Sequence, residues 1–70
     1  PMEIPMNPDI ASLWVIRHEG FPPDEIYMVT SKTAGVSYFL TCIQTGEEIL
    51  LWQFQVDEML YPFTGTHTCK

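Results

Sequence analysis

Positive charge is what this chain has least of. Its 70 residues hold only Arg17, Lys32 and Lys70 as cations, against nine aspartates and glutamates, for a formal net charge of −6. Affinity for DNA or RNA rests on lysine and arginine neutralising phosphates, so direct nucleic-acid binding is disfavoured. The same field favours a partner with a basic surface, or else serves only to keep a small hydrophobic domain in solution. Cysteine is scarce too. Cys42 and Cys69 alone make no disulfide framework. No apolar run reaches the roughly 20 residues that a membrane span needs, and no secretory signal is recognisable, so the expected compartment is the cytoplasm and no membrane partner is expected. Pro1 ahead of Met2 reads as a residue left by tag removal, with Met2 as the natural start.

Motifs that name a chemistry are also missing. A zinc site needs about four well-spaced ligands, and the best local offering is His67 with Cys69 near the end of the sequence. Nucleophilic catalysis needs a cysteine or serine beside a histidine and a third group to orient it. Cys42 instead sits among apolar neighbours, where a free thiol behaves as a small hydrophobe. His18 and Glu19 are adjacent, so on a strand they point to opposite faces. There is no glycine-rich phosphate loop. A domain this small has little room for both a core and a substrate pocket of several hundred cubic ångströms. The expectation is no enzyme, no metal and no cofactor.

What is present is apolar side chain in quantity: 46% hydrophobic and 13% aromatic residues, with no low-complexity run. That is the composition of one folded domain, which at this size buries about 60% of the surface of its unfolded chain. The expected organisation is an extended N-terminal arm over 1–9, a single β domain over 10–64 and a polar, flexible tail over 65–70. Pro1, Pro5 and Pro8 keep the arm extended, and Ile4 and Met6 are positioned to pack along a sheet edge. Leu13 to His18 is the first expected strand, rich in residues that favour strands. Glu19 to Asp24, EGFPPD, is a loop fixed by Gly20, Pro22 and Pro23. Glu25 to Ser31 follows as strand two, with Ile26 and Met28 on one side and Tyr27 and Val29 on the other. The KTAG segment, Lys32 to Gly35, closes a hairpin.

Val36 to Val56 holds most of the large apolar side chains. A Thr45-Gly46 turn predicts a tight hairpin in which Phe39 lies opposite Trp52, Thr41 opposite Leu50 and Ser37 opposite Phe54. Alternation then places Phe39, Ile43, Leu50, Trp52, Phe54 and Val56 on one face, and Val36, Tyr38, Leu40, Cys42, Ile49 and Leu51 on the other. Neither face is polar. Both need a cover: barrel closure, the arm or another molecule. Which face forms the core stays open. A helix over 46–61 is the rival, with Thr45 and Glu48 in capping-box spacing and Pro62 to end it. Strict alternation of Trp52 to Val56 favours the strand, followed by one helical turn at 57–60 with Met59 and Leu60 plugging the core, and a short edge strand from Tyr61 to Thr64.

This order of elements, from Leu13 to Thr64, resembles the SH3-like small barrels, in which a helical turn commonly precedes the last strand. The resemblance implies a mainly β fold: a five-stranded SH3-like barrel or strongly bent antiparallel sheet. The alternative is α+β, β-hairpins with one C-terminal helix over 46–61. The ALYDY-type segment and tandem tryptophan of peptide-binding SH3 domains are absent.

The carboxylates cluster at Glu19, Asp24 and Glu25, at Glu47 and Glu48, and at Asp57 and Glu58. Aromatic anchors ringed by charge are what protein interfaces look like. The expected function is therefore a non-enzymatic, acidic protein-binding domain. In size and charge it resembles small virus- or mobile-element-encoded inhibitors, including DNA mimics. The expected partner-binding residues are Trp14, Glu19, Phe21, Asp24, Glu25, Tyr38, Glu47, Glu48, Leu51 and Trp52. A self-associating subunit forming a homo-oligomer and a peptide-binding module are the alternatives.

Overall fold

A computed structural model describes residues 6–64. Five antiparallel strands form one sheet, in the order β4-β3-β2-β1-β5. They are β1 (Leu13–Ile16), β2 (Tyr27–Thr33), β3 (Ser37–Cys42), β4 (Glu48–Trp52) and β5 (Leu60–Pro62). One short helix, α1 (Gln53–Met59), carries the chain from the end of β4 to the start of β5. The fold is mainly β, as the alternation of apolar residues predicts.

The inner face of the sheet is the core. Ile16, Tyr27, Val29, Tyr38, Leu40, Cys42 and Leu51 are buried there together with Val56 and Met59 of α1 and Leu60 of β5. The Val56–Met59 spacing of three residues stacks both side chains on one side of the helix, and this is what covers the inner face of the hairpin. Burying each such side chain contributes roughly 1.5–3 kcal/mol. Gln53, one helical turn earlier, supplies the polar end of the same face. Its Oε1 accepts from the Tyr38 hydroxyl at 2.6 Å, and its Nε2 donates to Met6 O at 2.7 Å and Asp57 Oδ1 at 2.9 Å.

The hairpin register differs from the sequence expectation by two residues. Phe39 lies opposite Leu50, Thr41 opposite Glu48 and Ser37 opposite Trp52. The loop is longer than a Thr45-Gly46 pair: Cys42 N–H bonds Glu47 O at 2.9 Å, and Gly46, at φ +81°, donates to Cys42 O at 2.7 Å. An even shift preserves which side chains share a face. So Phe39, Leu50 and Trp52 still lie together, opposite Tyr38, Leu40 and Leu51.

The fourth strand ends at Trp52 instead of Val56, and the helix starts at Gln53, later than the rival 46–61 and earlier than 57. A continued strand would have sent Val56 outward with Trp52; the helix turns it into the core. Thr45 and Glu48 do not cap it. Trp52 is the N-cap, with its N–H donating to Gln55 Oε1 at 2.9 Å, while Thr45 Oγ1 accepts from Glu47 N–H at 3.2 Å inside the turn. The first strand stops at Ile16 rather than His18; the Arg17 N–H still bonds Met59 O at 2.9 Å, where the facing chain is already helical. The last strand is Leu60–Pro62 rather than Tyr61 to Thr64, and pairs with β1 at the sheet edge.

A bulge in β2 changes its phase. Val29 pairs with Leu40 but Ser31, not Thr30, pairs with Phe39, so Lys32 falls opposite Tyr38 on the inner side. From there its ammonium reaches Asn7 Oδ1 at 3.3 Å, Pro8 O at 3.0 Å and Asp9 at 3.8 Å. Met6 N–H also donates to Asp57 Oδ1 at 2.9 Å, so residues 6–9 are tied to both β2 and α1. The chain then turns at Ile10-Ala11, where Ala11 takes a positive φ of 73°. The expectations for Pro1, Ile4 and the 65–70 tail lie outside the described residues.

Candidate protein interface

The outer face of the hairpin has no cover among the described residues. Phe39 and Leu50 face each other across β3 and β4, and Trp52 lies two residues beyond Leu50 on the same side. They are 39%, 40% and 47% exposed. Phe39 and Leu50 form the closer, non-hydrogen-bonded kind of pair, since the ladder bonds run at Cys42–Glu47 and Val36–Gln53 on either side in matching phase. Val36, just before β3, and Phe54 of α1 are also exposed. Toward the other edge, Met28, Leu13 and Val15 are half-buried on this face and Tyr61 is exposed. The Arg17 guanidinium lies 4.7 Å from the centre of the Tyr61 ring, a cation–π contact.

One end of the sheet is acidic. Ile26 N–H donates to Gln44 Oε1 at 3.0 Å, Ile43 N–H to Ile26 O at 2.9 Å and Gln44 Nε2 to Asp24 O at 3.4 Å. These bonds join the EGFPPD loop to the hairpin tip, so Glu19, Asp24 and Glu25 share an end with Glu47 and Glu48. The Tyr27 hydroxyl, between the two, donates to Glu25 Oε1 at 3.1 Å. Burial, then that hydrogen bond and the Glu25 charge, with smaller contributions from Cys42 and Glu47, push the phenol up to about 12. Lys32 lies at the opposite end, bound to the arm.

A concavity of about 350 Å³ lies between the arm, α1 and the β1–β5 edge, and is lined by Met6, Trp14, Asp57, Leu60, Tyr61 and Pro62. Trp14 is held there by its indole N–H, which donates to Ser12 Oγ at 2.6 Å.

The sequence-predicted site residues fall into separate places. Glu47, Glu48 and Trp52 lie along the hairpin. Glu19, Phe21, Asp24 and Glu25 lie in the joined loop, with Phe21 half-buried against the core and edge-on to His18 at 6.4 Å. Trp14 is on the far side, in the concavity. Tyr38 and Leu51 require correction: at 0% and 2% exposure they are core residues and present nothing to a partner. They alternate with Phe39 and Leu50, which sequence reasoning left out and which hold the exposed positions. The signal that could have found those two was the shared face of Phe39, Leu50 and Trp52; the choice between faces was missing.

Among the described residues, no three His, Cys, Asp or Glu side chains converge in a way that could hold a metal ion. His67 and Cys69 lie outside them. No helix of the described residues is long and apolar enough to cross a membrane. No protein-family model, curated protein or solved structure matches the chain.

Proposed function

We propose that the chain is a non-enzymatic interaction domain of SH3-like build, which binds a protein with a basic surface through the outer face of its β3–β4 hairpin. The observation that carries this reading is the exposed Phe39–Leu50–Trp52 group beside Glu47 and Glu48. Contiguous apolar surface next to charge is characteristic of docking sites, whereas single exposed hydrophobes are ordinary. Aromatic anchors supply most of the binding energy at such sites, and the carboxylates speed encounter and select partner charge. The strand order, with a helix ahead of the last strand, supports the SH3-like reading.

The test is capture of a partner from the native source with the wild-type protein and with a Phe39→Ser, Trp52→Ser variant. The reading predicts that the variant loses the partner while remaining folded, and that raising salt weakens wild-type capture. Capture that survives both substitutions contradicts it. An inhibitor that mimics DNA is the narrower version, and it predicts that the captured protein binds nucleic acid and releases it on adding this chain.

A further inference from the structure

We propose that the partner contributes an extended basic segment, which adds to the free edge of β4 as a sixth, antiparallel strand. This rests on the interaction reading above and specifies how the site is engaged. The hairpin ladder fixes which backbone groups are free. Cys42–Glu47 and Val36–Gln53 are hydrogen-bonded positions, and hydrogen-bonded pairs recur every second residue. Ile49 and Leu51 therefore bond to β3, and the backbone groups of Glu48, Leu50 and Trp52 point away from it. The Trp52 N–H is taken by Gln55 Oε1. Among the described residues nothing engages the N–H or C=O of Leu50 or Glu48, so the edge is open over these two positions and closed by the helix beyond them.

Edge strands are usually blunted by lysine, proline or a bulge. Glu48–Trp52 has none of these. Its only charge is Glu48, at the acidic end of the sheet. An added antiparallel strand would set successive alternate residues against Trp52, Leu50 and Glu48. Side chains that fit are apolar, apolar and cationic in that order, since strand addition takes affinity from the main chain and specificity from alternate side chains. The charge argues for a basic occupant over a second copy of this chain, which brings a further net charge of −6 to the same place.

The test is an NMR titration of the whole chain with a capped peptide, Thr-Val-Thr-Val-Thr-Lys-Thr, whose second valine opposes Leu50. The expected result is saturable shifts centred on the Glu48 and Leu50 amides, with slowed exchange of the Leu50 N–H. N-methylation of that second valine removes one inter-strand hydrogen bond and weakens binding about tenfold, whereas N-methylation of the threonine after it, whose N–H faces away, changes little. Glu48→Lys weakens binding by about threefold, as an exposed ion pair would.

Absence of saturable shifts overturns the proposal, and so does an equal loss from both N-methyl peptides. Sedimentation showing a dimer with a protected Leu50 amide also overturns it, in favour of a second copy. If partner capture depends on Phe39 and Trp52 while the peptide results go against strand addition, the proposal fails and the interaction reading stands.

Discussion

The two faces of the β3–β4 hairpin are made of similar residues and have opposite fates. Tyr38, Leu40, Cys42 and Leu51 point inward and are sealed by Val56 and Met59 of α1 and by Ile16 of β1. Phe39, Leu50 and Trp52 point outward and stay 39–47% exposed. Hydrophobicity does not separate them. Position relative to α1 does, because the described residues form one helix and it covers one face. The lesson is that an apolar face becomes core only when the chain can afford a second layer; the face left over is available to another molecule.

Substitution at neighbouring positions separates the faces most sharply. Leu40→Ala opens a cavity in the sealed face and is expected to cost about 2–5 kcal/mol of unfolding free energy, measured by urea denaturation. Phe39→Ala, one residue away, is expected to cost clearly less, about 1 kcal/mol, the worth of its cross-strand pairing with Leu50. Equal losses would erase the distinction.

The polar seam that fastens α1 over the inner face comes next. Gln53→Ala removes the Oε1 acceptor of the Tyr38 hydroxyl and the donor to Met6 O and Asp57. The expected destabilisation is about 1–3 kcal/mol, with faster amide exchange across residues 6–9.

Tyr27 tests the inner face at its acidic end. Its folded phenol holds its proton to a pH of about 12, above the unfolded value of 10.0. Between these values the unfolded state has released the proton and the folded state has not, so stability is present below pH 10 and falls as pH rises toward 12. Thermal unfolding across this range should show the decline, and Tyr27→Phe should lessen it. The smallest effect is expected at Ala11. Its positive φ of 73° is strained for an L-residue. Ala11→Gly relieves this at some entropic cost, for a net gain of at most about 1 kcal/mol in the same denaturation assay.

Several features were legible from residues alone. Strand-forming residues marked the neighbourhoods of β1 to β3, Gly35 and Gly46 marked turns that do take positive φ, and alternation grouped Phe39 with Leu50 and Trp52. That grouping holds in both the expected and the observed register, because the two differ by an even number of residues. The start of α1 was not legible. Trp52 to Val56 alternates and is strand-prone, Trp52 is an unusual N-cap, and the tertiary need to bury Val56 and Met59 overrode local preference. The bulge that turns Lys32 toward the arm left no mark in the sequence. Tyr38 and Leu51 lie in the core rather than at a partner-binding surface, and composition alone does not distinguish which of two apolar faces receives the helix.

Acrylamide quenching of Trp52 fluorescence tests that division most directly. A Trp14→Phe variant leaves Trp52 as the single tryptophan. The account predicts strong quenching in the free monomer, and a blue-shifted, protected emission once a captured partner is bound. Shielding of Trp52 in the free monomer, or unchanged quenching in the complex, would contradict it.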